Sequence, residues 1–306
     1  LGKFIVKRLF FAIITLAVVI TITFFMMYLV PGGPFLAEKA PSQATLDALN
    51  EKYGLDQPVP VQFANYVSRL VQGDLGLSMK SRGRTINDII FSKFPVSAGL
   101  GSIAVASAFL IGVPVGSYAA LRRGKFTDKV ISVLSSFGIS VPSFILANTL
   151  VIIFAVTLKW ISSTYGLNKP TDYILPVISI ALYPTAYIAR LMRSSMLDVL
   201  GQDYMRTARA KGLSGTKILF KHAMRNAILP VITYLGPLIA YTLTGSFIVE
   251  RIFVIPGIGK EFIDSISGRD YPLVMGTTIF LATLVILMNV VVDIMYKVVD
   301  PRIRLE

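Results

Sequence analysis

Six stretches of the chain carry no Asp, Glu, Lys, Arg or His: 9–30, 96–121, 130–158, 173–189, 229–249 and 272–292. All but 173–189 reach about the 20 residues that carry an α-helix across a ~30 Å hydrocarbon core. The shorter stretch can continue helically through Arg190 and Arg193, whose long side chains reach toward headgroups. The pattern predicts six membrane-spanning helices. Lys3, Lys7 and Arg8 precede the first, in the manner of a signal peptide. That run is too long for one, no small-residue cleavage site follows, and "VPGGP" at 30–34 stops the helix, so a retained span is expected.

Between the first two spans the pattern turns polar. Ser42 is placed to cap a helix through Tyr53, with Gly54 as its stop. "QPVPVQFANYVSRLVQGDLG" reads as a second helix ending at Gly73, and Thr85 as the cap of a third, short one. The expected organisation is a tail and first span at 1–30, a small helical insertion at 31–95, and a five-helix core at 96–306. A loop at 198–228 lies within that core.

Lys and Arg near span ends set orientation. Of the 30 basic residues, 18 fall on one side: three before the first span, Arg122 to Lys129, eight from Arg190 to Arg225, and Lys297, Arg302 and Arg304. Both termini and the 198–228 loop are therefore expected in the cytoplasm, with 31–95 outside.

Composition agrees with this class. The chain is 54% hydrophobic and 15% charged, with a mean hydropathy of +0.68. Soluble domains carry roughly 25% charge. The net charge of +13 then means cytoplasmic loops near anionic headgroups and partners rather than nucleic acid. There is no Cys, so disulfide and thiolate chemistry are excluded.

The missing chemistry narrows the function. With no Asp, Glu, Lys, Arg or His in these runs, there is no mid-membrane carboxylate or His for a proton relay. One His, His222, and no Cys do not make a zinc site. The phosphate-binding pattern G-x-x-x-x-G-K-[ST] is absent; "GIGKEF" at 257–262 only resembles its end. An ATP-driven machine would need another chain to bind the nucleotide. Pro114, Pro142, Pro176, Pro184 and Pro237 interrupt the spans. Each is read as a plain kink or as a hinge, and several together suit a pathway.

One segment stands apart, "DYMRTARAKGLSGTKILFKHAMRN" at 203–226. Residues 204–211 can form two helical turns, Gly212 a left-handed cap, "LSGT" a turn, and Ser214 or Thr216 the start of a second helix. There Lys217, Lys221 and Arg225 make a basic stripe, and Phe220, Ala223, Met224 and Ala227 an apolar one. Lipid contact and docking to a partner both fit such a unit. Reading nucleic acid fits poorly, because the unit is tethered flat on the membrane.

The segment resembles the conserved cytoplasmic loop of ABC-importer permeases, in the form of the dipeptide/oligopeptide permease group. The family's E-A-A-x-x-x-G falls on Arg206-Thr207-Ala208-Arg209-Ala210-Lys211-Gly212, with Arg206 and Thr207 replacing the first two residues. The later family proline is absent at 225, and Pro230 follows. "YGLDQPVPVQF" at 53–63, "GDLGLS" at 73–78, "GISVPSF" at 138–144, "GSFIVERIFVIPGIG" at 245–259 and "DPR" at 300–302 also resemble the B-type subunit of oligopeptide importers, in order along the chain.

The resemblance implies an all-α type I importer fold in the bacterial plasma membrane, without enzymatic activity of its own. It further implies a second permease chain of different sequence, two cytoplasmic ATPases that hold ATP and Mg, and an external substrate-binding protein. No cofactor or metal is expected in this chain.

The loop would couple to the ATPases through Arg206, Ala208, Gly212, Leu213, Ser214 and Lys217. Arg225 and Asn226 would meet the partner or hold the loop to the bundle. Ser135, Ser140, Ser143, Asn148, Tyr183, Tyr234, Tyr241 and Thr244 are candidates for an uncharged peptide pathway, or for ordinary helix packing. Glu250, Asp264 and Asp270 would face the external protein or simply be solvated. Oligopeptides are the expected cargo. Dipeptides, nickel or metal chelates, and a scaffold without transport are the alternatives.

Overall fold

The computed structural model describes residues 2–29, 47, 50–51, 53–81, 83–161 and 169–299. "VPGGP", Ser42 and "DPR" lie outside the described residues. The described chain is helical, with one isolated antiparallel bridge between Leu77 and Thr85. Among the described residues five helical runs are long and apolar enough to cross a membrane. One further pair of helices makes a sixth span only if counted as one, bent by 98°.

The chain forms two compact units, cut within two of its long helices. The first comprises 1–95 and 256–286, the second 96–255 and 287–306. The insertion expected at 31–95 is thus grouped with residues from near the other end of the chain.

In the first unit, α1 (Gly2–Leu29) is a single apolar helix. The second insertion helix, α2 (Val59–Val71), stops just before Gly73, at φ +79°. Its Val59, Phe63, Tyr66, Val67 and Leu70 recur at helical spacing and pack on Ile20 and Phe24 of α1, with Met275 and Ile279. Phe24 lies edge-on to Phe63, ring centroids 5.1 Å apart, a favoured aromatic geometry.

Thr85 does cap a helix, but not a short one. Its hydroxyl oxygen accepts the Asp88 N–H at 3.1 Å, and the helix that follows is α3, Ile86–Leu121. Residues 86–95, expected in the insertion, are the first turns of this spanning helix.

In the second unit the uncharged run 130–158 is broken. Its helices are α4 (Phe126–Ser140) and α5 (Ser143–Leu150), the latter continuing as a π-helical turn, Val151–Thr157. Pro142 drives the residue before it out of the helical region, and Val141 is extended at φ −83°, ψ 119°. The freed groups are re-bonded locally. Val141 N–H donates to the Phe137 carbonyl, and the Pro142 carbonyl accepts from Ile145 and Leu146.

Helix α6, Ile174–Leu200, is the spine of this unit and packs on both arms of the bend. It runs unbroken through Arg190 and Arg193. Those two do not simply reach for headgroups. Arg193 grips the buried Asp128 at the start of α4 with two bonds of 2.6 and 2.9 Å, and Arg190 donates to Ser136 at 2.6 Å. Asp128 also accepts the Gly124 N–H. A two-pronged guanidinium–carboxylate pair fixes direction as well as distance, so α4 is held to α6 at a set angle.

The remaining elements are α7 (Asp203–Ala210) and α8 (Gly215–Lys217), which runs through a π-helical stretch, Ile218–Met224, into Arg225–Ala227. Then come α9 (Leu229–Leu243), α10 (Phe247–Ile252), α11 (Ile258–Gly268) and α12 (Tyr271–Val299).

Small residues let α3 approach α6. A Cβ on Gly116 would collide with the Ala189 carbonyl and with Met192. Lipid tails give helices no hydrophobic reason to associate, so such close packing is what holds them together. Gly116→Val is expected to cost about 1–3 kcal/mol through overpacking, seen as a lower melting temperature of the purified chain.

Candidate functional site

The 203–227 segment is built as a platform with two faces. On α7, Met205 and Ala208 are three residues apart and both buried, while Arg206, Thr207 and Arg209 are exposed. The helix closes where predicted. Lys211 N–H donates to Thr207, Gly212 N–H to Arg209, and Gly212 sits at φ +73°, a conformation that side chains disfavour. Ser214 then takes the cap position of α8 without a side-chain cap bond, its carbonyl accepting the Ile218 N–H at 3.0 Å.

The second arm is wound wider than an α-helix. With the π-helical stretch, Ile218, Ala223 and Ala227, spaced by five and then four residues, all point inward. These three join Met205 and Ala208 in one core with Ile188, Met192 and Met196 of α6 and Val113 and Ala120 of α3. Asn226 donates to the Tyr204 hydroxyl at 2.8 Å and so ties the return arm to α7.

The predicted coupling residues divide accordingly. Arg206, Gly212, Ser214, Lys217 and Arg225 are exposed, and Leu213 is half-buried against the core. Arg206 lies 3.5 Å from Asp203, both well exposed, a pairing of little energetic weight. Ala208 is 6% exposed: it anchors the platform and offers no surface to a partner here. Phe220, expected on the inward stripe, is 62% exposed, because the π turn shifts the register. Asn226, expected to hold the loop to the bundle or meet a partner, bonds Tyr204 within the loop itself.

The predicted pathway residues also divide. A cavity of about 540 Å³ opens at the α4–α5 bend. Ser140, Ser143, Tyr183, Tyr234 and Tyr241 line it. Ser135, Asn148 and Thr244 do not. Ser135 is buried, Asn148 donates to the Phe144 carbonyl, and Thr244 is buried and donates to the Tyr241 carbonyl. Prolines 142, 184 and 237 meet at this cavity; the sequence suggested that several such breaks together suit a pathway, but not which of them meet. Tyr187 went unnoticed; its ring lies 6.2 Å from Tyr183 and 4.4 Å from Tyr234. Four-residue spacing from Tyr183 was the available signal. The cavity is lined by hydroxyls and apolar surface without a charged side chain.

Two of the three acids expected at an external surface are not at one. Glu250 is fully buried in α10. Asp270 is 2% exposed and receives the Ser78 hydroxyl and the N–H groups of Met79 and Lys80. It organises a turn of its own unit. Asp264 stays at the surface, bonded to Lys260 at 2.6 Å.

Comparison with known proteins gives this platform and cavity a family. The model for the inner membrane component of binding-protein-dependent transport systems matches residues 112–305, and the corresponding N-terminal model matches 1–101. The dipeptide transport system permease protein DppB of Bacillus subtilis is 45% identical over 100% of this chain and 99% of its own length. The oligopeptide transport system permease protein OppB of Haemophilus influenzae is 45% identical over 99% of each. Among solved structures, the inward-facing MetNI methionine ABC transporter superposes with a TM-score of 0.58. It is 16% identical and covers 69% of this chain and 96% of that one, a likeness of fold. The chain belongs to the family of inner membrane components of binding-protein-dependent transport systems. It is a multi-pass bacterial inner membrane protein with a transport role, not an enzymatic one.

The two faces of the platform predict unequal mutational costs. Met205→Ala empties a fully buried site and is expected to lose ~2–5 kcal/mol. Arg206→Ala, on the outer face, is expected to change stability by no more than ~0.5 kcal/mol. Thermal melting of the two purified variants checks the contrast.

Proposed function

We propose that this chain forms half of a peptide-conducting pathway and is driven by separate ATPases docked on its 203–227 platform. The observation that carries the reading is the end-to-end match to permeases named for dipeptide and oligopeptide transport. In this reading both termini and the platform lie in the cytoplasm, where 18 of the 30 Lys and Arg collect near span ends. The insertion lies outside and meets a substrate-binding protein. A second, non-identical permease chain completes the pathway. ATP and Mg stay with the ATPases, and this chain holds no cofactor.

The geometry suits that division of labour. The buried face makes the platform part of the bundle core, so a push on Arg206, Leu213 or Lys217 reaches α3 and α6 directly. Power comes from any difference in how well the ATPases bind the inward- and outward-open bundle. The cavity at the α4–α5 bend offers tyrosine and serine hydroxyls to a chain whose constant feature is its backbone. The absence of fixed charge there suits cargo of varied side chains. Oligopeptides are the favoured cargo. Dipeptides are the second reading, because the Bacillus subtilis dipeptide permease is also 45% identical.

Reversing charge on the outer face with Arg206→Glu and Lys217→Glu together is expected to cut ATPase co-purification and peptide uptake about tenfold or more. Membrane insertion should persist. Undiminished uptake would remove the platform from the coupling step. Tyr183→Ala with Tyr241→Ala is expected to lower uptake of a radiolabelled peptide while the ATPases remain bound. Unchanged uptake would take the bend cavity out of the pathway.

A further inference from the structure

A second cavity lies within the first unit, among the end of α1, helix α2, the 74–79 loop and the start of α12. Its volume is about 800 Å³, within the ~300–1,000 Å³ usual for ligand sites. Helix α2 turns one face to it. Gln62, Asn65, Tyr66 and Arg69, at i, i+3, i+4 and i+7, all line the wall, while the adjoining apolar stripe of Val59, Phe63, Val67 and Leu70 packs on Ile20, Phe24, Met275 and Ile279.

The polar groups on this wall are prearranged. Asn65 donates from Nδ2 to Gln57 Oε1 at 3.0 Å. Gln62 donates from Nε2 to the Gln57 carbonyl at 2.7 Å, and accepts the Tyr28 hydroxyl. The linked Asn65–Gln57 pair leaves Oδ1 of Asn65 as an acceptor and Nε2 of Gln57 as a donor. One acceptor beside one donor is the complement of a peptide bond. Tyr66 is 7% exposed and its hydroxyl has no hydrogen-bond partner. A buried unpaired hydroxyl is costly and unusual. Burial also pushes its pKa well above that of a free phenol, so the group stays an O–H donor. Arg69 brings one exposed cation to the wall, and Glu51 and Asp74 bring carboxylates.

We propose that this cavity binds a short peptide by its backbone and its charged ends: the terminal carboxylate on Arg69, the terminal ammonium on Asp74 or Glu51, and a peptide bond on the Gln57–Asn65 pair. The proposal requires the wall to open to the Tyr66 hydroxyl, which is closed off and unpaired here. The inference rests on the peptide-cargo reading and adds a recognition site within the insertion, separate in its residues from the cavity at the α4–α5 bend. Recognition of the ends, rather than of side chains, gives a preference for short zwitterionic peptides.

The test uses the assembled transporter in lipid nanodiscs and a photoreactive tripeptide, alanyl-benzoylphenylalanyl-alanine, with its C-terminally amidated form as control. Labelled positions are mapped by mass spectrometry. Labelling is expected within 57–79, displaced by excess trialanine, and about tenfold weaker for the amidated form. Arg69→Gln should erase that difference. Tyr66→Phe should weaken labelling about threefold without lowering the melting temperature, since the unliganded chain loses an unpaired group.

Uptake that proceeds with no label in 57–79, or label indifferent to Arg69→Gln, would overturn the site while leaving peptide transport intact. A photoreactive phosphatidylethanolamine that labels the cavity and is not displaced by trialanine would make it a lipid site and overturn the proposal. Failure to take up any peptide would remove the cargo reading and this inference with it.

Discussion

The contact on which the second unit depends is the burial of Met205, Ala208, Ile218, Ala223 and Ala227 against Ile188, Met192 and Met196 of α6. A basic amphipathic segment lying on lipid would be free to slide and tilt. Here the apolar side belongs to the same core that joins α3 to α6, so the outer side inherits the rigidity of the bundle. Gly212 turns the chain, the π-helical stretch keeps the return arm in register, and the Asn226–Tyr204 bond closes the two arms. The outward Arg and Lys are thereby carried on backbone anchored to the bundle, as the proposed docking of ATPases requires.

In the same unit the α4–α5 bend does the opposite and breaks regularity. A lipid-embedded chain tolerates non-helical backbone only where protein or a wet cavity re-satisfies it. Val141 and Pro142 meet that condition through local bonds, and the cavity they border gathers three prolines and the tyrosines of α6 and α9. The Arg193–Asp128 pair fixes one arm of the bend to α6. The unit thus combines a platform packed into the bundle core with a cavity lined by hydroxyls and apolar surface.

Much of this was readable from residue pattern. Uncharged runs found the spanning helices, Gly212 and Gly73 marked turns, and Thr85 marked a helix start. Each rests on local physics that needs no neighbour. What escaped depends on tertiary context. Counting charges cannot see a 98° bend within one uncharged run. A 3.6-residue wheel put Phe220 inward, because it cannot foresee the π winding of 218–224, and the family match put Ala208 at the partner surface although it packs into the core. Treating loop acids as solvated missed the burial of Glu250 and of Asp270, the latter bonded to Ser78, distant in sequence. Five of the eight pathway candidates line the bend cavity; Ser135, Asn148 and Thr244 are also neutral and polar but are buried or bond backbone carbonyls three or four residues back.

The central claim is that the 203–227 platform is part of the bundle on one face and of a motor interface on the other. Hydrogen–deuterium exchange on the chain in nanodiscs, alone and assembled with its ATPases, tests it most directly. The account predicts that amides of 203–227 are protected to the same order as those of α6 in both samples, with added protection on assembly confined to the outer-face stretch 206–217. Rapid exchange across 203–227 while α6 stays protected, unchanged by the ATPases, would contradict it and return the segment to a lipid-facing surface.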